Sequence, residues 1–211
     1  GFILGQILLE LDASYQINRN WFVDGSVGVN LIDNLDDLGF ASDSVLPHVR
    51  SDIALYLRRG KNHLQSLKTE YFWSPGKNLY ARFSAGIFEA MYGGIAGELL
   101  YRKPSSRFAF GIDINRVRQR EFEQRFSFRD YEVTTGHLTT YYDTNFHDFL
   151  VKFSMGRYLA RDVGATLDLS REFANGARAG VYATKTDVSS EEFGEGSFDK
   201  GIYLSLPLDL F

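Results

Sequence analysis

Polar and apolar residues alternate along most of this 211-residue chain, so that every second residue is apolar. Successive side chains of a β-strand point to opposite faces, so each alternating segment predicts a strand with one apolar and one polar face. We count about twelve such segments, many of them close to the ~9–11 residues that a tilted strand needs to cross a bilayer. The clearest segments are 7–17, 21–31, 53–57, 79–87, 108–114, 149–155 and 165–169.

Turn-forming residues separate the predicted strands. Asn175-Gly176 is typical of a tight β-hairpin. Short connections are predicted at 74–78, 103–107, 143–147 and 174–178, and long ones at 32–49, 118–131 and 187–200. We find neither an internal repeat nor a linker. The sequence therefore predicts that residues 1–211 form a single all-β domain.

The composition restricts the class of protein. The net charge is −4, which disfavours a nucleic-acid partner because such partners select a basic face. The chain has no cysteine, which excludes disulfide bonds and thiolate metal sites. It also lacks a run of eighteen apolar residues, so a transmembrane helix is not predicted. Residue 1 opens directly into a predicted strand, so we expect this chain to be excised from a longer protein.

The alternation fits two architectures. A soluble barrel or sandwich buries its apolar face, whereas a membrane barrel turns that face to lipid and encloses a polar lumen. Three features favour the membrane barrel: long and uniform strands, acidic and basic residues mixed along the polar face, and aromatic residues near strand ends. We therefore predict an antiparallel transmembrane β-barrel of about twelve strands with a polar lumen, as part of a larger protein.

Polar and aromatic residues on the inward face of such a barrel are the candidates for contact with a transported molecule. The predicted lumen-facing residues are Tyr56, Arg58, Lys68, Glu70, Tyr80, Arg82, Glu98, Arg102, Asp113, Lys152 and Asp168. Aromatic rings stack on sugar faces, and charged groups bind hydroxyls. The lumen of a narrow barrel is either an open path or is blocked by these side chains.

Three arginines continue the parity of the apolar 108–114 stripe. If the strand rises past the bilayer, then Arg116, Arg118 and Arg120 project outward just above it. Guanidinium groups suit phosphate, so lipopolysaccharide head groups are predicted partners. In the alternative, the strand ends at Asn115 and the arginines pair with Glu121 and Glu123 in a loop.

Most of residues 45–211 resembles a known family, and two stretches are the most specific. The segments "QRFSFRDYEVTTGH" at 124–137 and "FGEGSFDKGIY" at 193–203 are similar to the carboxy-terminal part of the YjbH/GfcD family. Asp199, Gly201, Leu204 and Leu206 also fit the terminal-strand pattern by which outer-membrane barrels are recognised for insertion. The resemblance implies a barrel in the outer membrane of a Gram-negative bacterium, often a lipoprotein. It also implies a role in the export or assembly of an exopolysaccharide or capsule.

The residues give little sign of catalysis. The four histidines are scattered, and neither a nucleophile elbow nor a metal-ligand spacing is present in the sequence, so we predict a non-enzymatic protein without metal or cofactor. Predicted partners are outer-membrane lipid, a polysaccharide and periplasmic secretion proteins. Two alternatives remain: a soluble β-barrel that binds a ligand, and an outer-membrane enzyme that modifies glycans.

Overall fold

The described residues form eleven strands and one short helix. The computed structural model describes residues 6–34, 49–50, 52–188 and 199–207. The first strands are β1 (Gln6–Gln16), β2 (Trp21–Asp33), β3 (Asn62–Gly76), β4 (Leu79–Ile87), β5 (Tyr92–Arg102) and β6 (Phe108–Arg120). The others are β7 (Phe128–Asp143), β8 (Phe149–Arg157), β9 (Val163–Glu172), β10 (Arg178–Thr186) and β11 (Asp199–Ser205), and helix α1 spans Ile53–Arg59.

The strands follow one another in a single sheet. Their spatial order is their order in the chain, from β1 to β11, and the pairings of β1 with β2 and of β7 through β11 are antiparallel. This arrangement follows from the short turns, since a tight hairpin joins antiparallel neighbours. The predicted all-β antiparallel architecture is confirmed. The described strands number eleven rather than twelve, and β1 and β11 stand at the two ends of the sheet order.

The predicted strand at 53–57 is wrong, because residues 53–59 form helix α1. Ala54 and Tyr56 are the buried residues of this helix, and Arg58 and Arg59 lie in its last turn, before Gly60. A helix gains stability from basic residues at its carboxyl end, where the backbone carbonyls point outward. The helix has seven residues. In the described part of the chain, helices fall short of the length and apolar character that crossing a membrane requires.

The predicted long connection at 118–131 is also wrong. Strand β6 continues to Arg120 and β7 begins at Phe128, so the connection covers only 121–127. The predicted long connections at 32–49 and 187–200 fall mostly on residues 35–48 and 189–198, which lie outside the described residues.

The chain divides into two compact units, and the first comprises Gly1–Trp73, Arg82–Gly97 and Asn115–Thr134. In this unit the apolar stripes of β1 and β2 are exposed, whereas a separate set of apolar residues is buried, among them Ile87, Tyr92, Val117 and Val133. The stripe residues Ile7, Leu9, Leu11, Val27, Val29 and Ile95 are all exposed. By contrast Ser26, Glu70 and Ser84 are at most 7 % exposed. Along β1 and β2 this distribution is the reverse of that in a soluble β-domain, which buries its apolar face.

The second unit comprises Ser74–Ala81, Glu98–Ile114 and Thr135–Phe211. It has the same inverted distribution. The exposed stripe residues are Phe108, Phe110, Ile112, Met155, Leu167, Leu169 and Val181. The polar residues Thr139, Ser154 and Ser170 are buried. Register explains this sorting, because antiparallel pairing places Leu167 beside Phe153 and Ala183, so that apolar residues share one face.

Candidate functional site

The polar face of β7 to β10 carries a continuous line of hydroxyl groups. Antiparallel register places Thr139, Ser154, Thr166 and Thr184 side by side on four successive strands. The Thr139 and Ser154 hydroxyls are hydrogen-bonded at 3.0 Å, and those of Thr166 and Thr184 at 2.8 Å. We call these four residues the hydroxyl row. A hydroxyl both donates and accepts hydrogen bonds, so the row can adapt to a polyhydroxylated ligand.

Charged and aromatic residues lie two positions farther along each strand. Tyr141, Lys152, Asp168 and Tyr182 are neighbours in register, and we call them the charged row. The Lys152 ammonium lies 6.0 Å from the centre of the Tyr141 ring, and the Tyr203 hydroxyl donates to Asp168 Oδ1 at 3.2 Å. The predicted residues Lys152 and Asp168 are therefore brought together on one face.

Two glycines make room for tyrosine rings beside this row. Gly180 pairs with Tyr203, and Gly201 pairs with Tyr182. A Cβ atom at Gly180 would overlap the Tyr203 ring at Cζ, and one at Gly201 would lie 2.6 Å from Tyr182 Cε1. Because the glycines carry no side chain, the rings can lie over the neighbouring backbone. The spacing keeps the Tyr203 hydroxyl within reach of Asp168.

A histidine and an aspartate form a pair at the far end of the hydroxyl row. His137 Nδ1 lies 3.1 Å from Asp113 Oδ2, and the His137 ring meets the Tyr158 ring edge-on with centroids 4.8 Å apart. The Tyr158 hydroxyl is hydrogen-bonded to that of Thr166 at 2.7 Å. The carboxylate fixes the orientation of the imidazole, as such pairs do in many binding sites. Parity predicts Asp113 and Ser154 on the polar face, and His137 is an alternative candidate there for binding sugar hydroxyls, whereas Tyr158 and the three threonines of the hydroxyl row are not predicted.

The second unit also contains a pocket of about 530 Å³ where strands β5 to β10 meet their short turns. We call it the end pocket. Its charged lining residues are Arg102, Arg107, Asp143, Asp148, Glu172 and Arg178. Arg178 Nη2 donates to Glu172 Oε2 at 2.8 Å. The predicted residue Arg102 belongs to this pocket.

A buried carboxylate lies in the first unit. Glu70 is 7 % exposed and lies within 2.9 Å of the Lys68 ammonium and 3.0 Å of the Arg82 guanidinium. The Ser84 hydroxyl donates to the same carboxylate at 3.0 Å. Three predicted residues thus form one cluster: Lys68 and Glu70 share a face because they are two positions apart, and β4 supplies Arg82. Two cations and a hydroxyl compensate the cost of burying one charge.

Arg120 does not project outward as predicted, because its side chain is fully buried. Its guanidinium donates to the backbone carbonyls of Leu64, Glu89 and Arg125 at 2.8, 2.7 and 2.9 Å. A guanidinium carries five N–H donors in a rigid fork, so one side chain can donate to several carbonyls at once. Arg120 therefore joins the start of β3, the β4–β5 connection and the β6–β7 connection.

The other two arginines of this group are exposed. Arg116 Nη2 lies 2.6 Å from Glu132, and Arg118 Nη2 lies 3.5 Å from Asp130. Both acidic partners lie on the adjacent strand β7, and neither is one of the loop residues named in the alternative prediction.

Tyr56 and Arg58 lie on α1 and not on a strand, which corrects their predicted setting. The Tyr56 hydroxyl donates to the Arg120 backbone carbonyl, and burial raises the pKa of this phenol above its ordinary value. The phenol therefore keeps its proton and anchors α1.

Tyr80 is exposed on β4, and Glu98 is partly exposed on β5. In the described ranges, groups of three histidine, aspartate or glutamate residues able to hold a metal ion were not found.

Comparisons with known proteins identify the family. The family described as "Exopolysaccharide biosynthesis protein YbjH" matches residues 1–211. A relative from Escherichia coli (strain K12), described as "Uncharacterized lipoprotein YjbH", is 42% identical over 203 residues. The match covers 90% of this chain and 29% of the relative, so the chain spans less than a third of that protein's length. No solved structure matches the chain with statistical significance. The predicted family is confirmed: the chain belongs to the YjbH family of exopolysaccharide biosynthesis proteins.

Proposed function

We propose that this chain forms membrane-spanning strands of an outer-membrane β-barrel that aids the export or assembly of an exopolysaccharide. The observation that carries the proposal is the inverted distribution of exposure. Leu167 is 52 % exposed, whereas Ser170, three residues farther along the same strand, is 5 % exposed. In water, large exposed apolar stripes are unfavourable, but in a bilayer they are the contact surface with lipid.

Strand length supports a spanning role. Ten of the eleven strands have 9 to 16 residues, and the sheet of an ordinary soluble domain has strands of ~5–6 residues. A strand rises about 3.3 Å per residue, so these strands are long enough to cross an apolar band ~25 Å tall when tilted. The soluble-barrel alternative does not account for this length together with the exposed stripes.

A membrane barrel has no free edges, because unpaired backbone groups are costly in hydrocarbon. We therefore propose that β1 and β11 are paired in the full-length protein, either with each other or with strands from other parts of the chain. The length of the Escherichia coli relative supports this, since a chain such as this covers only 29% of it.

The family and its lipoprotein relative support a place in the envelope of a Gram-negative bacterium. The hydroxyl row and the charged row provide a polar, aromatic face on which a glycan can lie. We propose a non-enzymatic role, as a channel or as a scaffold for periplasmic secretion proteins. Arg116 and Arg118 remain the proposed contacts for lipopolysaccharide phosphates, and both are exposed, with side-chain exposures of 65 % and 47 %.

Site-directed spin labelling tests the lipid-facing stripe. The chain has no cysteine, so single labels can be placed without further changes. A label at Leu167→Cys is expected to collide with oxygen, which dissolves in lipid, whereas one at the adjacent Asp168→Cys should be reached by a water-soluble nickel complex. The contrast follows from the two-residue period of a strand. Equal nickel accessibility at both positions, in vesicles, would contradict the membrane proposal.

A further inference from the structure

The end pocket has the features of a saccharide site. We propose that it binds a short, uncharged stretch of polysaccharide, in which pyranose hydroxyls face the charged lining residues. This inference rests on the proposed function and names the ligand class. The pocket volume of about 530 Å³ falls in the range of ~300–1,000 Å³ that small-molecule sites occupy.

The balance of charge in the pocket selects the ligand. Three arginines and three carboxylates line it, so the formal charge of the lining is zero. A strongly anionic or cationic ligand would meet as much repulsion as attraction. A pair of neighbouring hydroxyls, by contrast, donates to a carboxylate and accepts from a guanidinium, so alternating acids and bases match the edge of a sugar ring.

One ion pair and one backbone hydrogen bond order part of the pocket before a ligand arrives. Glu172 and Arg178 face each other in register on β9 and β10 and form an ion pair at 2.8 Å. The Asp143 backbone N–H donates to the Arg107 carbonyl at 2.9 Å, which ties the end of β7 to the β5–β6 turn. Such pre-organisation lowers the entropic cost of binding a flexible oligosaccharide.

The walls of the pocket suit the apolar face of a sugar. Tyr141 of the charged row lines it, as does Leu150. Ser170, which is 5 % exposed, contributes a hydroxyl-bearing side chain to the same lining. The pocket thus continues the polar face of β7 to β9 to the end of the sheet.

The test uses the full chain in lipid nanodiscs and two probes: cellotriose, which is uncharged, and a trigalacturonate, which is anionic. Binding is measured by isothermal titration calorimetry. Cellotriose is expected to bind, and Arg107→Gln and Tyr141→Ala are each expected to weaken it about tenfold, the loss that follows from removing one charged hydrogen bond or one stacking contact. Lys103→Gln is the matched control, because Lys103 lies in the same turn but not in the pocket lining.

Each outcome decides the inference. Binding of cellotriose that is weakened by R107Q and Y141A but not by K103Q supports it. Binding of the trigalacturonate alone, or equal weakening by K103Q, overturns it, and so does a lack of binding to either probe. The spin labels at positions 167 and 168 report separately on the proposed function, because they can retain the lipid pattern when saccharide binding fails. Each variant is checked for folding by gel electrophoresis: a folded barrel migrates differently before and after the sample is heated, and each variant should retain this difference.

Discussion

Replacing Arg120 with methionine is expected to lower the free energy of unfolding by about 3–5 kcal/mol, the range found when one partner of a buried charged network is removed. The Arg120 side chain is fully buried and its guanidinium donates to several backbone carbonyls. Methionine has a similar length and no donor. Each of those carbonyls would then lose a hydrogen bond from a charged donor, and such a bond contributes ~1.5–3 kcal/mol.

Unfolding by guanidinium chloride in detergent micelles measures this loss of stability. The fluorescence of Trp21 and Trp73 reports the unfolding transition. Arg118→Met is the matched control, because Arg118 lies two residues away on the same strand and is exposed. The control is expected to change stability by less than about 1 kcal/mol. Arg120→Lys should fall between the two, since an ammonium is a compact point donor and cannot reach carbonyls on β3 and on two separate connections. Equal stability of R120M and R118M would contradict the structural role of Arg120.

Alternation predicted the strands well because a two-residue period directly reports two faces of a sheet. Segment 53–57 shows where this fails. Apolar residues at 53, 55 and 57 alternate, yet five residues are too few to distinguish a strand from a helix. Arg58, Arg59 and Gly60 are the stop signals of a helix and favour α1. These signals were present in the sequence and outweigh a short alternation.

The position of Arg120 could not be predicted in the same way. Its parity matches that of the exposed Arg116 and Arg118, but β6 ends at Arg120 and the side chain turns toward carbonyls of connections far away in sequence. Glu89 and Arg125 lie in connections outside the regular strand ladder, where a side chain can donate to their carbonyls. Hydrogen bonds from a side chain to backbone carbonyls that are distant in sequence leave no pattern in the sequence.

The candidate site was predicted in part. Parity placed Lys152 and Asp168 on the polar face, but their contact depends on register, which turn geometry sets. The three threonines of the hydroxyl row followed the same parity and were missed because threonine and serine are common on any solvated sheet face. The end pocket was missed except for Arg102, since its residues come from the ends of six strands.

The sharpest test of the membrane proposal is a charge on the apolar stripe. Leu167→Arg is expected to lower the free energy of unfolding in lipid vesicles by about 2–4 kcal/mol if residue 167 lies near the bilayer midplane.

In water the same substitution at a half-exposed surface position would change stability by only about 0.5 kcal/mol. The difference arises because hydrocarbon does not solvate a guanidinium, whereas water does. Phe146→Arg is the matched control: Phe146 is 64 % exposed and lies in a turn between β7 and β8, outside the strands. Urea titrations of both variants in vesicles give the comparison. A loss at position 167 that is no larger than the loss at 146 would mean that the stripe faces water, and the exposed leucines would then need a protein partner instead of lipid.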